Sequence, residues 1–316
     1  MHSGDMAHTA LLLDDFLTHH LTEAGHPECP ERLRVIRKAL EPFEGMVVLP
    51  SRRAELAEVT LCHDPDYIED VLKLIASGET DLAGGDVSVC KESGEVALHA
   101  VGGVIDSVDA VLTGQVQNAF CAVRPPGHHA RPAAVMGFCI FNNIAIAARH
   151  AQKQHGVDRV AIVDWDVHHG NGTQEIFYSD GSVLFFSTHQ WPWYPGTGHS
   201  SETGEGKGAG LTLNCPLPAG SGRKEIVVAF RERLLPALKN FCPELLLISA
   251  GFDSRAGDPL GQFLLTDGDF ADLTDMLLDF AAAGACKGRV VSLLEGGYNL
   301  AGLGKAVASH VSRLVG

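Results

Sequence analysis

The chain of 316 residues carries 24 Lys and Arg against 39 Asp and Glu, a formal net charge of −15 at pH 7, and 45% of its residues are hydrophobic. That apolar content at this length suits a compact fold burying roughly 75% of the unfolded surface, which excludes a disordered chain; the negative charge opposes direct binding to nucleic acid or anionic lipid and favours a cationic ligand. No uncharged apolar run approaches the roughly 20 residues of a membrane-spanning helix, and the first residues, with His2, Asp5 and His8, lack the basic start of a secretory signal.

In chain order, a strand over 9–13 precedes helices over 30–41, 66–76 and 94–112, and a strand over 119–123 precedes a helix over 142–154. Strands over 159–163 and 183–187 precede a helix over 224–240, and a strand over 245–249 precedes a helix over 269–283. Thr266 and Asp269 have the spacing of a capping box at the start of that helix. A strand over 290–294 and a helix over 303–314 complete the series. Uninterrupted apolar strands alternating with helices predict an α/β protein, one open, mostly parallel sheet flanked by helices on both faces. The Gly/Pro-rich stretches at 124–137, 192–210 and 251–261 each follow a strand and none is a long linker, so a single domain over 1–316 is expected. The cysteines, Cys29, Cys62, Cys90, Cys121, Cys139, Cys215, Cys242 and Cys286, form no CxxC pair. A thiolate zinc site is therefore disfavoured, and a reducing, cytoplasmic or otherwise intracellular setting is expected.

Open α/β sheets bind ligands beyond the carboxyl ends of their strands, and four predicted strand ends here carry chemistry. Asp164, Asp166 and His168 alternate after 159–163, so in an extended segment they share one face. With Asp253, which follows 245–249, they offer an Asp/His/Asp set that can hold a catalytic zinc with a position left for water; iron(II) or another divalent ion would also fit. A lone Asp-x-His more often makes structural hydrogen bonds, so the reading rests on the other strand ends. His128 and His129 follow the stiff Pro125-Pro126-Gly127, and either imidazole can act as a general base near neutral pH, with Asp164 available to orient one of them. Tyr298, after Gly296-Gly297, can donate a hydrogen bond to a developing oxyanion.

The segments RPPGHHA (124–130), GFCIFNN (137–143), VDWDVHHGNGTQ (163–174), YPGTG (194–198), SAGFDSRAGDPLG (249–261) and LEGGYN (294–299), with HPECPERL (26–33), together resemble the zinc-dependent histone deacetylase family of the arginase-deacetylase fold. Asn171 within HHGNGTQ resembles the class II branch and its bacterial relatives. The resemblance implies Asp166, His168 and Asp253 as zinc ligands with His169 outside that set, and His128 and His129 as the catalytic imidazoles. His129 would be the main base and then acid, facing Asn171, while His128 would pair with Asp164 and act through its charge. Tyr298 would bind the oxyanion, Gly137, Phe138 and Tyr194 would form a tunnel for an extended acylated chain, and Asp86 would hold the substrate backbone at the rim.

Leu260 stands where the resembling polyamine deacetylases carry a Glu that selects a second amine, which favours acyl-lysine over acetylpolyamine. Trp191 and Trp193 lie near the mouth in sequence. The resemblance also implies potassium held by Asp164, Asp166, His168, Ser187 and Thr188, with a second site near Phe177, Asp180 and Val183. The expected activity is metal-dependent removal of acetyl or other acyl groups from the lysine side-chain amine. The alternatives are a deacetylase of polyamines or other small amides, and an acyl-lysine-binding scaffold with weak catalysis. The expected partner is thus an acylated lysine peptide or protein, or an acylated small amine, with no direct nucleic acid or membrane contact; the sequence is compatible with an oligomer.

Overall fold

A computed structural model describes residues 9–316. From its start run β1 (Thr9–Leu12), a 3-10 turn (Asp15–His19), α1 (Glu31–Leu40), β2 (Met46–Leu49), α2 (Leu56–Val59), α3 (Pro65–Ala76), a small antiparallel pair β3 (Asp81–Leu82) and β4 (Val87–Ser88), and α4 (Ser93–Leu112). Then come β5 (Asn118–Cys121), α5 (Asn143–His155), β6 (Val160–Asp164), α6 (Asn171–Phe177), β7 (Val183–Gln190) and β8 (Thr212–Leu217). The chain ends with α7 (Arg223–Ala229), a π turn (Phe230–Leu234), α8 (Leu235–Phe241), β9 (Leu245–Ala250), α9 (Asp267–Ala283), β10 (Val290–Leu294) and α10 (Leu300–Val315).

The strands other than β3 and β4 form one eight-stranded sheet in the order β2-β1-β5-β10-β9-β6-β7-β8, with every neighbouring pair parallel. Its interior strands β1, β5, β10, β9, β6 and β7 are buried at every residue, as expected of a sheet covered on both faces. The six strands expected from sequence are these six. Besides the short β3–β4 pair, the two missed are the edges of this sheet: β2 is half-exposed along most of its length, and β8 contains Pro216, which reads as a strand breaker but is tolerated at a sheet edge.

The helix expected over 224–240 is divided by the π turn just before Pro236, whose missing N–H and ring disturb regular helical bonding. At the start of α9, the Thr266 N–H donates to Asp269 Oδ2 at 2.7 Å, which makes use of the expected capping pair. All eight cysteines are free thiols. Among the described residues no helix is long and apolar enough to cross a membrane.

One apolar core spans both faces of the sheet, and a second lies between α3, α4 and the β3–β4 hairpin. Helix α4 contributes to both. It sits so close to the segment before α2 that a Cβ at Gly102 would fall 2.1 Å from the Arg52 carbonyl oxygen. Gly102→Ala should therefore push two backbone segments apart and cost about 1–3 kcal/mol in urea unfolding; an unchanged midpoint would show that the contact yields freely.

Candidate active site

Strands β5, β6, β9 and β10 are scattered in sequence but are the four consecutive central strands of the sheet, in the order β5-β10-β9-β6. Their carboxyl ends therefore meet, and each delivers one part of the site. His128 and His129 follow β5, Asp166 and His168 follow β6, Asp253 follows β9, and Glu295 to Tyr298 follow β10.

Asp166, His168 and Asp253 are buried and bring one ligand atom each to within 4.8 Å of one another. Asp166 Oδ1 accepts the His168 N–H at 2.8 Å and lies 3.0 Å from His168 Nδ1, while Asp166 Oδ2 accepts the Gly296 N–H at 2.8 Å. Asp253 Oδ1 accepts the Val167 N–H at 2.8 Å. Asp253 Oδ2 lies 3.2 Å from His168 Nδ1 without making a hydrogen bond to any group. Burial, followed by the charge of Asp166, pushes the Asp253 carboxyl up. Two buried carboxylates beside an imidazole, one with an unpartnered oxygen, make a donor set that fits a divalent cation, whose charge would offset both penalties. Glycines permit the approach: a Cβ at Gly251 would fall 2.0 Å from Asp166 Oδ2, and one at Gly296 would fall 1.9 Å from Asp253 Oδ2. His169 points elsewhere, bonding Thr197 and Gln174.

The two adjacent imidazoles, with ring centres 4.0 Å apart, have opposite electrostatics. His128 Nδ1 lies 2.9 Å from Asp164 Oδ2. Burial opposes charge on His128, but the carboxylates of Asp164, Asp166 and Glu295 outweigh it and lift its pKa to about 10. His129 Nδ1 instead lies 2.7 Å from the amide oxygen of Asn171, which brings no charge. Burial, and then the positive charge of His128 and His168, holds His129 well below the ordinary imidazole value. Because the amide oxygen can only accept, the Asn171 contact assigns the proton to His129 Nδ1 and leaves Nε2 with a lone pair.

A cavity of about 250 Å³ opens onto this centre, with His129, His168, Tyr298, Phe138, Tyr194 and Leu260 among its walls. Phe138 has a φ of +68°, uncommon for a bulky side chain, and the preceding Gly137 has one of +55°. Asp86 holds this bend: its carbonyl oxygen accepts the Phe138 N–H at 3.2 Å, and its Oδ2 accepts the Gly137 N–H at 2.7 Å and the Tyr194 hydroxyl at 2.9 Å. A Cβ at Gly137 would strike the His129 ring at 2.3 Å. Trp193 joins the cavity and donates from Nε1 to the Leu260 carbonyl at 2.9 Å, whereas Trp191 stacks edgewise near His199.

Several supporting residues escaped the sequence reading although all lie inside the motifs quoted for it. Asp258 accepts the N–H groups of Tyr298 at 2.7 Å, Asn299 at 3.1 Å and Leu260 at 2.9 Å, joining two loops of the cavity. Glu295 accepts the N–H groups of Gly127 at 2.7 Å and His128 at 3.1 Å. Arg32 donates to the carbonyls of Gly297, at 2.8 Å, and Glu295, and its guanidinium lies 5.0 Å from the Tyr298 ring centre. Glu28 pairs with Arg32 at 3.1 Å and with Arg124 at 2.6 Å, and all three are fully buried. The available signal was a charged residue inside an otherwise apolar or Gly/Pro-rich motif; the partner, about 100 or more positions away for Glu295, Arg32 and Glu28, was not visible.

Of the residues expected to hold potassium, Asp164 pairs in register with Ser187, whose hydroxyl lies 2.9 Å from His189 Nδ1, and the buried Thr188 hydroxyl has no partner. At the second expected position, the Asp180 carboxylate is occupied by the Arg149 guanidinium at 2.5 Å, which also lies over Phe177.

A parallel α/β sheet with this site at its carboxyl edge is the arginase-deacetylase fold, and the structure matches that of the HDA15 HD domain with a TM-score of 0.92 and 37% identity over 98% of this chain and 89% of the other. The family model for the histone deacetylase domain matches residues 26–314. The chain belongs to the histone deacetylase family and is a hydrolase acting on amides. It is 42% identical to histone deacetylase 10, chloroplastic, of Oryza sativa, over 94% of this chain and 71% of the relative. It is 41% identical to the polyamine deacetylase HDAC10 of Homo sapiens over 99% of this chain, but spans only 47% of that protein. A probable deacetylase of Archaeoglobus fulgidus is 40% identical over 93% of this chain and 82% of the relative.

Glu28→Gln should leave two buried guanidinium groups short of countercharge and cost about 3–5 kcal/mol in chemical unfolding. Burial opposes the Glu28 carboxylate, but Arg124 and His20 prevail and hold its pKa well below the usual value. This stabilisation is fully present above the unfolded-state value of roughly 4.3 and is lost as pH falls towards the folded-state value. The wild type should therefore lose stability below about pH 4 more steeply than Glu28→Gln; parallel stability profiles would remove Glu28 from that role.

Proposed function

We propose that this chain is a zinc-dependent amidohydrolase, one catalytic domain over 1–316, that removes acetyl or other acyl groups from the side-chain amine of lysine. The observation that carries the reading is the convergence, at one cavity, of the Asp166/His168/Asp253 donor set with a neutral and a charged imidazole. Zinc held by these three residues would polarise the amide carbonyl and acidify a water molecule; iron(II) could use the same donors. The unpartnered Thr188 hydroxyl supports potassium beside Asp164, Asp166, His168 and Ser187 as a structural companion.

The protein's own groups supply the proton transfers. His129, with its proton fixed on Nδ1 by Asn171, accepts a proton at Nε2 from the attacking water. His128, kept cationic by Asp164, lends positive charge as the carbonyl oxygen becomes negative, and the Tyr298 hydroxyl donates to that oxyanion. His129 then passes its proton to the leaving nitrogen, so a neutral amine departs and a carboxylate remains. Phe138 and Tyr194 form apolar walls for the methylenes of the acylated side chain, with Asp86 bracing both.

Leucine at position 260 places no anion there for a second amine, and the one carboxylate lining the cavity mouth, Asp86, is engaged by the Gly137 N–H and the Tyr194 hydroxyl, which favours acyl-lysine peptides or proteins. The similarity to a polyamine deacetylase keeps acetylpolyamine as the second reading. A steady-state comparison of zinc-loaded protein on acetyl-lysine peptides, longer acyl-lysine peptides and acetylpolyamines decides between them. Higher kcat/KM on the peptides is expected; preference for polyamines overturns the substrate, and hydroxamate binding without turnover makes the protein an acyl-lysine-binding scaffold. Tyr298→Phe should keep its zinc and lose about 100-fold or more in kcat. Wild-type turnover in that variant would exclude the hydroxyl from the reaction.

A further inference from the structure

A second cluster of ligating side chains lies outside this cavity, on the packed pair α4 and α5. Asp109, near the end of α4, places Oδ1 2.6 Å from His150 Nε2 and 2.6 Å from His155 Nε2, both on α5. His150 is buried, whereas Asp109 and His155 are half-buried, so the cluster is rooted in the helix interface and opens to solvent on one side. Among the described residues, the only two groups of three His, Cys, Asp or Glu with ligand atoms within 4.8 Å of one another are this one and Asp166/His168/Asp253.

The surroundings favour a cation. Asp106 lies one turn before Asp109 on α4, and the single guanidinium of Arg52 bonds both Asp106, at 2.7 Å, and Glu58 of α2, at 2.8 Å, so two carboxylates there share one cation. Two imidazole Nε2 atoms directed at one carboxylate oxygen are hydrogen-bonded as they stand, and the same three atoms are the donor set of a His/His/carboxylate metal face. Tetrahedral bonds of about 2.0 Å need ligand atoms roughly 3.3 Å apart, so each imidazole nitrogen, now 2.6 Å from the Asp109 oxygen, has to draw back by less than about 1 Å to admit the ion. Each imidazole would then carry its proton on Nδ1 and give the Nε2 lone pair to the metal, with water completing the shell.

We propose that Asp109, His150 and His155 form a second metal site, for zinc or a similar divalent transition ion, whose role is structural. It would staple α4 to the carboxyl end of α5. The other end of α5 supports the catalytic loops directly: the Asn142 amide donates to the Ala130 carbonyl at 3.1 Å and the Asn143 amide to the Pro125 carbonyl at 3.2 Å. A staple at this position would steady the helix against which the His128–His129 segment rests, without touching substrate.

The test is to strip the full chain with a chelator, titrate it with zinc or cobalt(II) by calorimetry, and count retained ions by elemental analysis after gel filtration. Wild type should retain two ions per chain, while His155→Ala and Asp109→Asn should retain one and keep their amide hydrolysis. Asp253→Ala should lose the ion of the cavity yet retain the other, and that ion should raise its unfolding temperature. Should His155→Ala fail to fold, the milder His155→Gln and the ion count of Asp253→Ala decide. A single wild-type ion that persists in His155→Ala, two ions in His155→Ala or His155→Gln, or none in Asp253→Ala overturns the second site. Because Asp253→Ala reports on this site alone, its outcome is separate from that of the amidohydrolase assignment.

Discussion

The buried carboxylate of Glu28 joins two guanidinium groups that have no exposed surface, one from α1 and one just after β5. Arg32 extends this link to the carbonyls of Glu295 and Gly297 and to the face of Tyr298, while Arg124 begins the segment that carries His128 and His129. Charges so deep are tolerated only when paired and hydrogen-bonded. Their pairing ties the amino-terminal part of the chain to the two loops whose separation sets the distance between imidazoles and tyrosine.

On this frame the site separates the properties of two identical side chains. His128 and His129 are adjacent and both buried, yet one faces a carboxylate and the other a neutral amide. Positive charge collects on the first and is kept off the second by burial and then by repulsion. This asymmetry is what a proposed division between an electrostatic imidazole and a proton-transferring one requires. A carboxamide at Asn171 fixes the tautomer without adding charge that would oppose it.

Much of the architecture was legible because a sheet buried on both faces needs unbroken apolar strands, and β1, β5, β6, β7, β9 and β10 have them. The edges β2 and β8 lacked that signal, since one face or one end of an edge strand meets solvent and a proline such as Pro216 costs little there. The division of the helix at the π turn before Pro236 was likewise visible only as a proline inside a helical period. The candidate ligands and imidazoles were legible because each follows an apolar strand directly. Their supports, Asp258, Glu295, Arg32 and Glu28, were not, because a hydrogen bond to a distant backbone or guanidinium leaves no periodic trace.

The sequence by itself determined the kinds of chemistry available: alternating Asp164, Asp166 and His168, the His pair, Asp253 and Tyr298, each behind its own strand. It also determined the shape of the close approaches, through glycines such as Gly251 and Gly296 that leave no Cβ in the way. Only the tertiary structure decided that β5, β10, β9 and β6 stand side by side, so that four loops far apart in the chain share one edge. It alone decided which imidazole meets a carboxylate, and that Asp109 meets His150 and His155 across two helices. The physical reason is that strand order and helix contact follow from burying both faces of the sheet at once, a condition on the whole chain that no local run of residues expresses.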